Sequence, residues 1–123
     1  MTAPPTYSVF VVEDETMIRM LVVEMLEELG HTVAAEAAHL EQALDLASSS
    51  QFNLAILDIN LAGRSSLPVA EVIKARKLPF ILSTGYGANG MPPDFADAPA
   101  IQKPFTIEAL GRTINELMKG TLP

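Results

Sequence analysis

Apolar positions along this chain follow two alternating rhythms. Tyr7 to Val12 (YSVFVV) is an unbroken β-rich run, long enough for a buried strand. After Glu15 the rhythm changes. Ile18, Val22, Met25 and Leu29 recur at intervals of four, three and four, which marks one face of a helix, and Gly30 stands where a helix C-cap is expected. Thr32 to Ala37 (TVAAEA) reads as a second strand. Leu40, Ala43, Leu44 and Ala47 mark a second helix, which a run of serines ends. Leu54 to Leu57 (LAIL) is a third strand with Asp58 at its carboxyl end. Pro68 begins a third helix that continues through Val72 and Ile73. Pro79 breaks it, and Phe80 to Thr84 (FILST) is a fourth strand. Gly85 to Pro99 is rich in glycine and proline and reads mainly as loop. Ala100 to Gln102 is a short fifth strand. Ile107, Leu110, Ile114 and Leu117 then mark a last amphipathic helix.

Strand and helix alternate throughout. That pattern predicts an α/β fold: a parallel sheet with helices on both faces and right-handed crossovers. Residues 1–123 are expected to form one domain with no effector domain. Nearly half the chain is apolar (49%), enough for a sizeable core. No run approaches the roughly 18 apolar residues of a membrane helix. The opening MTAPPTYS lacks the basic start of a secretory signal. The chain contains no cysteine, which suits a reducing compartment, and the expected location is cytoplasmic, away from membranes. A net charge of -7 disfavours phosphate backbones, so nucleic acid is not an expected partner.

In a sheet of this kind, sites form beyond the carboxyl ends of the strands. Four of the five predicted strand ends carry candidate chemistry. The first ends in Glu13 and Asp14, the third in Asp58, the fourth in Ser83 and Thr84, the fifth in Lys103. Each has an ordinary reading alone: a helix cap, a turn residue, a β-former, a surface turn. Together, in this order, they describe one crevice. Three carboxylates repel one another and favour a hard cation with oxygen ligands, such as Mg²⁺. Lys103 adds a fixed positive charge and Thr84 a hydroxyl. A carboxylate nucleophile, a divalent metal, an ammonium and a hydroxyl suit in-line phosphoryl transfer.

The segments VVEDE, LAILDINLAG, FILSTGYG and IQKPF resemble the signature segments of response-regulator receiver domains, from about Tyr7 to Met118. The resemblance implies a flavodoxin-like five-stranded parallel sheet with five helices. It implies that Glu13 and Asp14 hold Mg²⁺, that Asp58 is the phosphoacceptor and also a metal ligand, and that the Asn60 backbone carbonyl completes the metal shell. Thr84 then matches the hydroxyl that meets the phosphoryl oxygen, and Lys103 the family's ammonium, joined to Pro104 by a cis bond. LSTGYG is similar to the FATGUY subgroup. That likeness implies a stand-alone receiver partnered with sensor histidine kinases of the HWE or HisKA2 type. Ile101 stands where ordinary receivers carry a switch Tyr or Phe, and GANGMPPDFADAP is a poor fourth helix, expected to be short or disordered.

The expected function is therefore a single-domain response regulator, phosphorylated on Asp58 by a histidine kinase and acting on a downstream protein or phosphotransfer partner. It is expected to be a signalling phosphoacceptor, not an enzyme, supplying catalytic groups for its own phosphorylation and dephosphorylation. One rival is a small Mg²⁺-dependent phosphohydrolase, disfavoured because Asn60 stands where a second acid would protonate the leaving group. Another is a degenerate receiver serving as a binding module, disfavoured by the intact acid, hydroxyl and lysine set. A flavodoxin-type flavin protein is disfavoured further, because no phosphate-cradling loop follows the first strand of this sequence. The switch is expected in Thr84, Gly85 and Tyr86. Gly85 to Pro99 should order around the phosphorylated site, since few of its residues could anchor it in the core.

Overall fold

The computed structural model describes residues 5–85, 95 and 98–119. In chain order its elements are β1 (Ser8–Val12), α1 (Thr16–Glu28), β2 (Thr32–Ala37), α2 (Leu40–Ser49), β3 (Leu54–Asp58), β4 (Asn60–Leu61), β5 (Arg64–Ser65), α3 (Leu67–Ala75), β6 (Phe80–Thr84), β7 (Ala100–Gln102) and α4 (Ile107–Lys119). Five strands form one parallel sheet in the order β2-β1-β3-β6-β7. This is the flavodoxin-like order that the signature segments implied. The chain order reverses between β1 and β3, which places a crevice beyond the carboxyl ends of those two neighbours.

The period of two along each strand sorts the core into two layers. Phe10, Val12, Ala55, Leu57, Phe80 and Leu82 pack with Ala43 and Ala47 of α2 and Val69, Ala70 and Ile73 of α3. On the opposite face, Val9, Val11, Leu54, Ile56, Ile81 and Ile101 pack with Val22 and Leu26 of α1 and Leu110, Ile114 and Met118 of α4. Strands buried on both faces read as continuous apolar runs, which is why YSVFVV, LAIL and FILST stand out in the sequence. Each large aliphatic side chain so buried contributes about 1.5–3 kcal/mol.

Helix ends follow local rules. Gly30 has φ +93°; its N–H donates to the Glu27 carbonyl and that of His31 to the Leu26 carbonyl, the Schellman arrangement. α1 therefore stops at Glu28, and Leu29 is its C-cap, not its last core-facing turn. α3 ends in the same way at Lys77, a non-glycine residue with φ 62°. That helix starts at Leu67, one residue before Pro68. Among the described residues no helix is long and apolar enough to cross a membrane.

One feature departs from the sequence expectations. A two-stranded antiparallel hairpin, β4 with β5, follows directly on β3. Its turn residues Ala62 (φ 52°) and Gly63 (φ 87°) are both left-handed, the geometry that matches the strand twist in two-residue hairpins. Phe95 is one residue of Gly85 to Pro99 that does reach the core, as the expectation of few such residues allows. It is buried, meets Phe80 edge-on at 6.0 Å, and has the Lys74 ammonium 5.7 Å from its ring centre. The short or disordered fourth helix, expected in GANGMPPDFADAP, lies outside the described residues apart from Phe95, Ala98 and Pro99. Four helices are present among those described.

Candidate functional site

Parallel register brings the site together. Val12 pairs with Leu57, so the next residues on the two strands, Glu13 and Asp58, emerge side by side at the crevice. Asp14 follows on the β1–α1 connection. Ligand oxygens of Glu13, Asp14 and Asp58 all lie within 4.8 Å of one another. Lys103 enters from the far side of the sheet, immediately after β7. Its Nζ donates to Asp58 Oδ2 at 3.0 Å and to Glu13 Oε1 at 3.2 Å. Thr84 ends β6 and is buried; its carbonyl accepts the Lys103 N–H at 2.8 Å, so the hydroxyl residue and the lysine travel on one backbone pairing. Lys103–Pro104 is cis, as the family resemblance implied.

Backbone donors hold one further oxygen on each of the three acids. Glu13 Oε2 accepts from Glu15 N–H at 3.1 Å, and Asp58 Oδ1 from Asn60 N–H at 3.3 Å. The hairpin serves the same purpose: Ala62 N–H donates to Asp14 Oδ2 at 3.1 Å. The Asn60 side chain accepts from Gly63 N–H at 2.7 Å and so braces the turn. The structure thus brings Glu13, Asp14, Asp58, Asn60, Thr84 and Lys103 to one end of the sheet. Gly85 is described and exposed. Tyr86 lies outside the described residues. Ile101 is buried with Leu110 and Ile114 on the α1–α4 face.

Electrostatics inside the cluster are opposed. Burial, with the charge of Asp58, pushes Glu13 up from 4.5 to about 7, against the lowering effects of the Glu15 amide and Lys103. Burial alone would pull the Lys103 ammonium down. The hydrogen bond and charge of Asp58, then those of Glu13, outweigh it and hold the group above its ordinary value. The Glu13 carboxyl is thus raised mainly by burial, with the charge of Asp58 adding to it. One lysine does not neutralise three carboxylates. The donor set is all oxygen, close and clustered, which fits a hard divalent cation and not a soft metal.

Two contributors carry no motif. Arg19 reaches back from α1 to the Glu13 carbonyl, and the hairpin amide of Ala62 reaches Asp14. The signal for the second was present in Ala62-Gly63, a two-residue turn candidate.

The sequence matches the response regulator receiver domain family over residues 9–115. The chain belongs to that family. Among solved structures, this receiver resembles SdrG from Sphingomonas melonis Fr1, with 35% identity and a TM-score of 0.80, covering 90% of this chain and 95% of that one. It also resembles the receiver domain of PhyR from Erythrobacter litoralis, with 27% identity and a TM-score of 0.77, covering 93% of this chain and 91% of that one. Among curated proteins it is 31% identical to the transcriptional regulatory protein PdtaR of Mycobacterium tuberculosis over 106 residues, 83% of this chain. The receiver spans about half the length of that relative (52%). The likeness to receivers carried by the four signature segments therefore stands on sequence and on fold together.

Proposed function

We propose that the receiver takes a phosphoryl group from a phosphohistidine of a sensor histidine kinase onto Asp58. The observation that carries this reading is the setting of the Asp58 carboxylate: buried at a strand end, bonded to Lys103 through one oxygen and to the Asn60 amide through the other, inside an acid cluster. An Asp58 oxygen lone pair forms the new P–O bond. The P–N bond breaks, its electron pair stays on the imidazole nitrogen, and the product is an acyl phosphate. Lys103 stays within reach of the charge on the transferred group, and the Thr84 hydroxyl is its neutral counterpart. Glu13, Asp14, Asp58 and the backbone carbonyl of Asn60 would hold Mg²⁺, which when bound neutralises phosphoryl oxygens.

Partners follow from the surface beside the site. An apolar groove of about 320 Å³, lined by Ile18, Leu21, Val22, Met25, Pro104 and Phe105, opens next to Lys103. Met17, Met20 and Leu21 are exposed on the same helix. Such a surface supports docking of a protein donor, and a net charge of -7 does not support nucleic acid. The kinase is one of the HWE or HisKA2 type that LSTGYG implies, and the output is contact with a downstream protein or phosphotransfer partner. Asn60 cannot protonate a leaving group, so the site supports a signalling phosphoacceptor over a phosphohydrolase. The switch is assigned to Thr84, Gly85 and Tyr86, since Ile101 has no ring to rotate. A phosphotransfer screen with purified, labelled histidine kinases of the source organism tests the reading. Fast transfer from at least one kinase to the wild-type chain, and none to Asp58→Asn, is the expected result. Equal labelling of both chains would overturn it.

A further inference from the structure

Arg19 is out of place by helix electrostatics. It sits in the first turns of α1, where the amino end of the helix dipole disfavours a positive charge, and that turn has no acidic residue of its own. Its side chain is only 18% exposed. The guanidinium spans two elements: Nη1 donates to the Glu13 carbonyl at 2.8 Å, and Nε pairs with Glu36 Oε1 of β2 at 3.2 Å. Next to Glu36, the Ala37 carbonyl accepts the Glu13 N–H at 3.0 Å.

Both ends of the Glu13 residue are therefore fastened to the edge strand, the N–H directly and the C=O through Arg19. The second of these fixes the peptide plane that leads into Asp14. Without it, what holds the connection beyond the Glu13 N–H is the Glu13 carboxylate on the Glu15 amide and on Lys103, and Asp14 Oδ2 on the Ala62 amide. Those side-chain bonds all use carboxylate oxygens, the atoms a cation would take. Arg19 is a side-chain fastening of this connection that uses no oxygen of the acid cluster.

We propose that Arg19, braced by Glu36, is a positioning residue that presets Glu13 and Asp14 for the divalent cation. This rests on the reading of Glu13, Asp14 and Asp58 as the cation site. Partners one layer behind a metal's ligands commonly account for about 10–100-fold in affinity. Lysine can reach the carbonyl or the carboxylate but lacks the planar fork to hold both.

The test is calorimetric titration of Mg²⁺ into wild type, Arg19→Ala, Arg19→Lys, Glu36→Gln and Arg76→Ala, with unfolding midpoints measured alongside. Arg76 caps the Ala47 and Ser50 carbonyls far from the crevice and controls for loss of stability alone. Expected is about 10-fold weaker Mg²⁺ binding in Arg19→Ala, an intermediate loss in Arg19→Lys and Glu36→Gln, and none in Arg76→Ala despite a lower midpoint. Unchanged affinity in all three variants of the Arg19–Glu36 pair would overturn the proposal. So would an equal loss in Arg76→Ala, which would make the effect one of stability. Wild type failing to bind Mg²⁺ at all would overturn the cation reading beneath it, an outcome distinct from both.

Discussion

Lys103 stands between Asp58 and Glu13, with its ammonium 3.0 Å from one carboxylate and 3.2 Å from the other. In the absence of a cation this single charge is what lets two buried acids share a crevice. It also leaves Asp14 and the outer oxygens of the cluster uncompensated.

Lys103→Met keeps the apolar stem and removes the charge. Leaving buried acids unpaired should lower unfolding free energy without Mg²⁺ by about 1–3 kcal/mol. The cation then has more repulsion to relieve, so Mg²⁺ should raise the melting temperature of Lys103→Met more than that of wild type. Phosphorylation by a small phosphodonor should be slower. Equal Mg²⁺ stabilisation of the two proteins would show that Lys103 and the cation answer to different charges.

Glu13 gives the site a pH dependence with a definite sign. Its carboxyl is raised from 4.5 to about 7 in the fold, mainly by burial. Between those values the native chain holds a proton that the unfolded chain has released. The contribution is therefore full below about pH 4.5 and is lost as pH rises through about 7. The slope is roughly 1 kcal/mol per pH unit across that window. His31, whose buried imidazole accepts from the Tyr7 amide and is lowered from 6.5 by burial, works in the opposite direction, losing stability as pH falls. Denaturant unfolding of metal-free wild type against Glu13→Gln isolates the Glu13 part. The difference should change steadily from pH 4.5 to 7; a pH-independent difference would contradict the assignment.

Gly63 links a local turn to the site. Its φ is +87° and nothing lies within 4 Å of where a Cβ would stand, so Gly63→Ala introduces backbone strain and no clash. The cost should be about 1 kcal/mol. Because the same turn carries Ala62 N–H to Asp14 Oδ2, the Ala62 amide resonance should also shift. Unchanged stability and an unmoved Ala62 signal would show that the turn is not coupled to the acid cluster.

What the sequence made legible follows from which features are periodic. The helices announce themselves because burial of one face imposes a period, as in Ile18, Val22 and Met25, and the central strands because burial on both faces leaves unbroken apolar runs. Strand ends then place Glu13, Asp58, Thr84 and Lys103 without any tertiary knowledge. The hairpin escaped because two-residue strands have no period; only Ala62-Gly63 marks it. Arg19 escaped for another reason. Spacing alone offers Glu15 as its helix partner four residues earlier, whereas the fold turns it toward Glu36, a choice fixed by the β1–β2 pairing. Phe95 escaped because one aromatic in a glycine- and proline-rich stretch has no neighbours with which to form a pattern, although Phe80 and Lys74 receive it.

The central claim is that Asp58 is the phosphoacceptor, and intact-protein mass spectrometry tests it most directly. Wild type and Asp58→Asn are incubated with Mg²⁺ and acetyl phosphate. The asparagine keeps the shape of the side chain and the bond to the Asn60 amide but lacks the nucleophilic oxygen. Wild type should gain one acid-stable, base-labile phosphoryl group that fails to form when Mg²⁺ is chelated, and Asp58→Asn should gain none. A phosphoryl adduct of equal yield on Asp58→Asn would contradict the account.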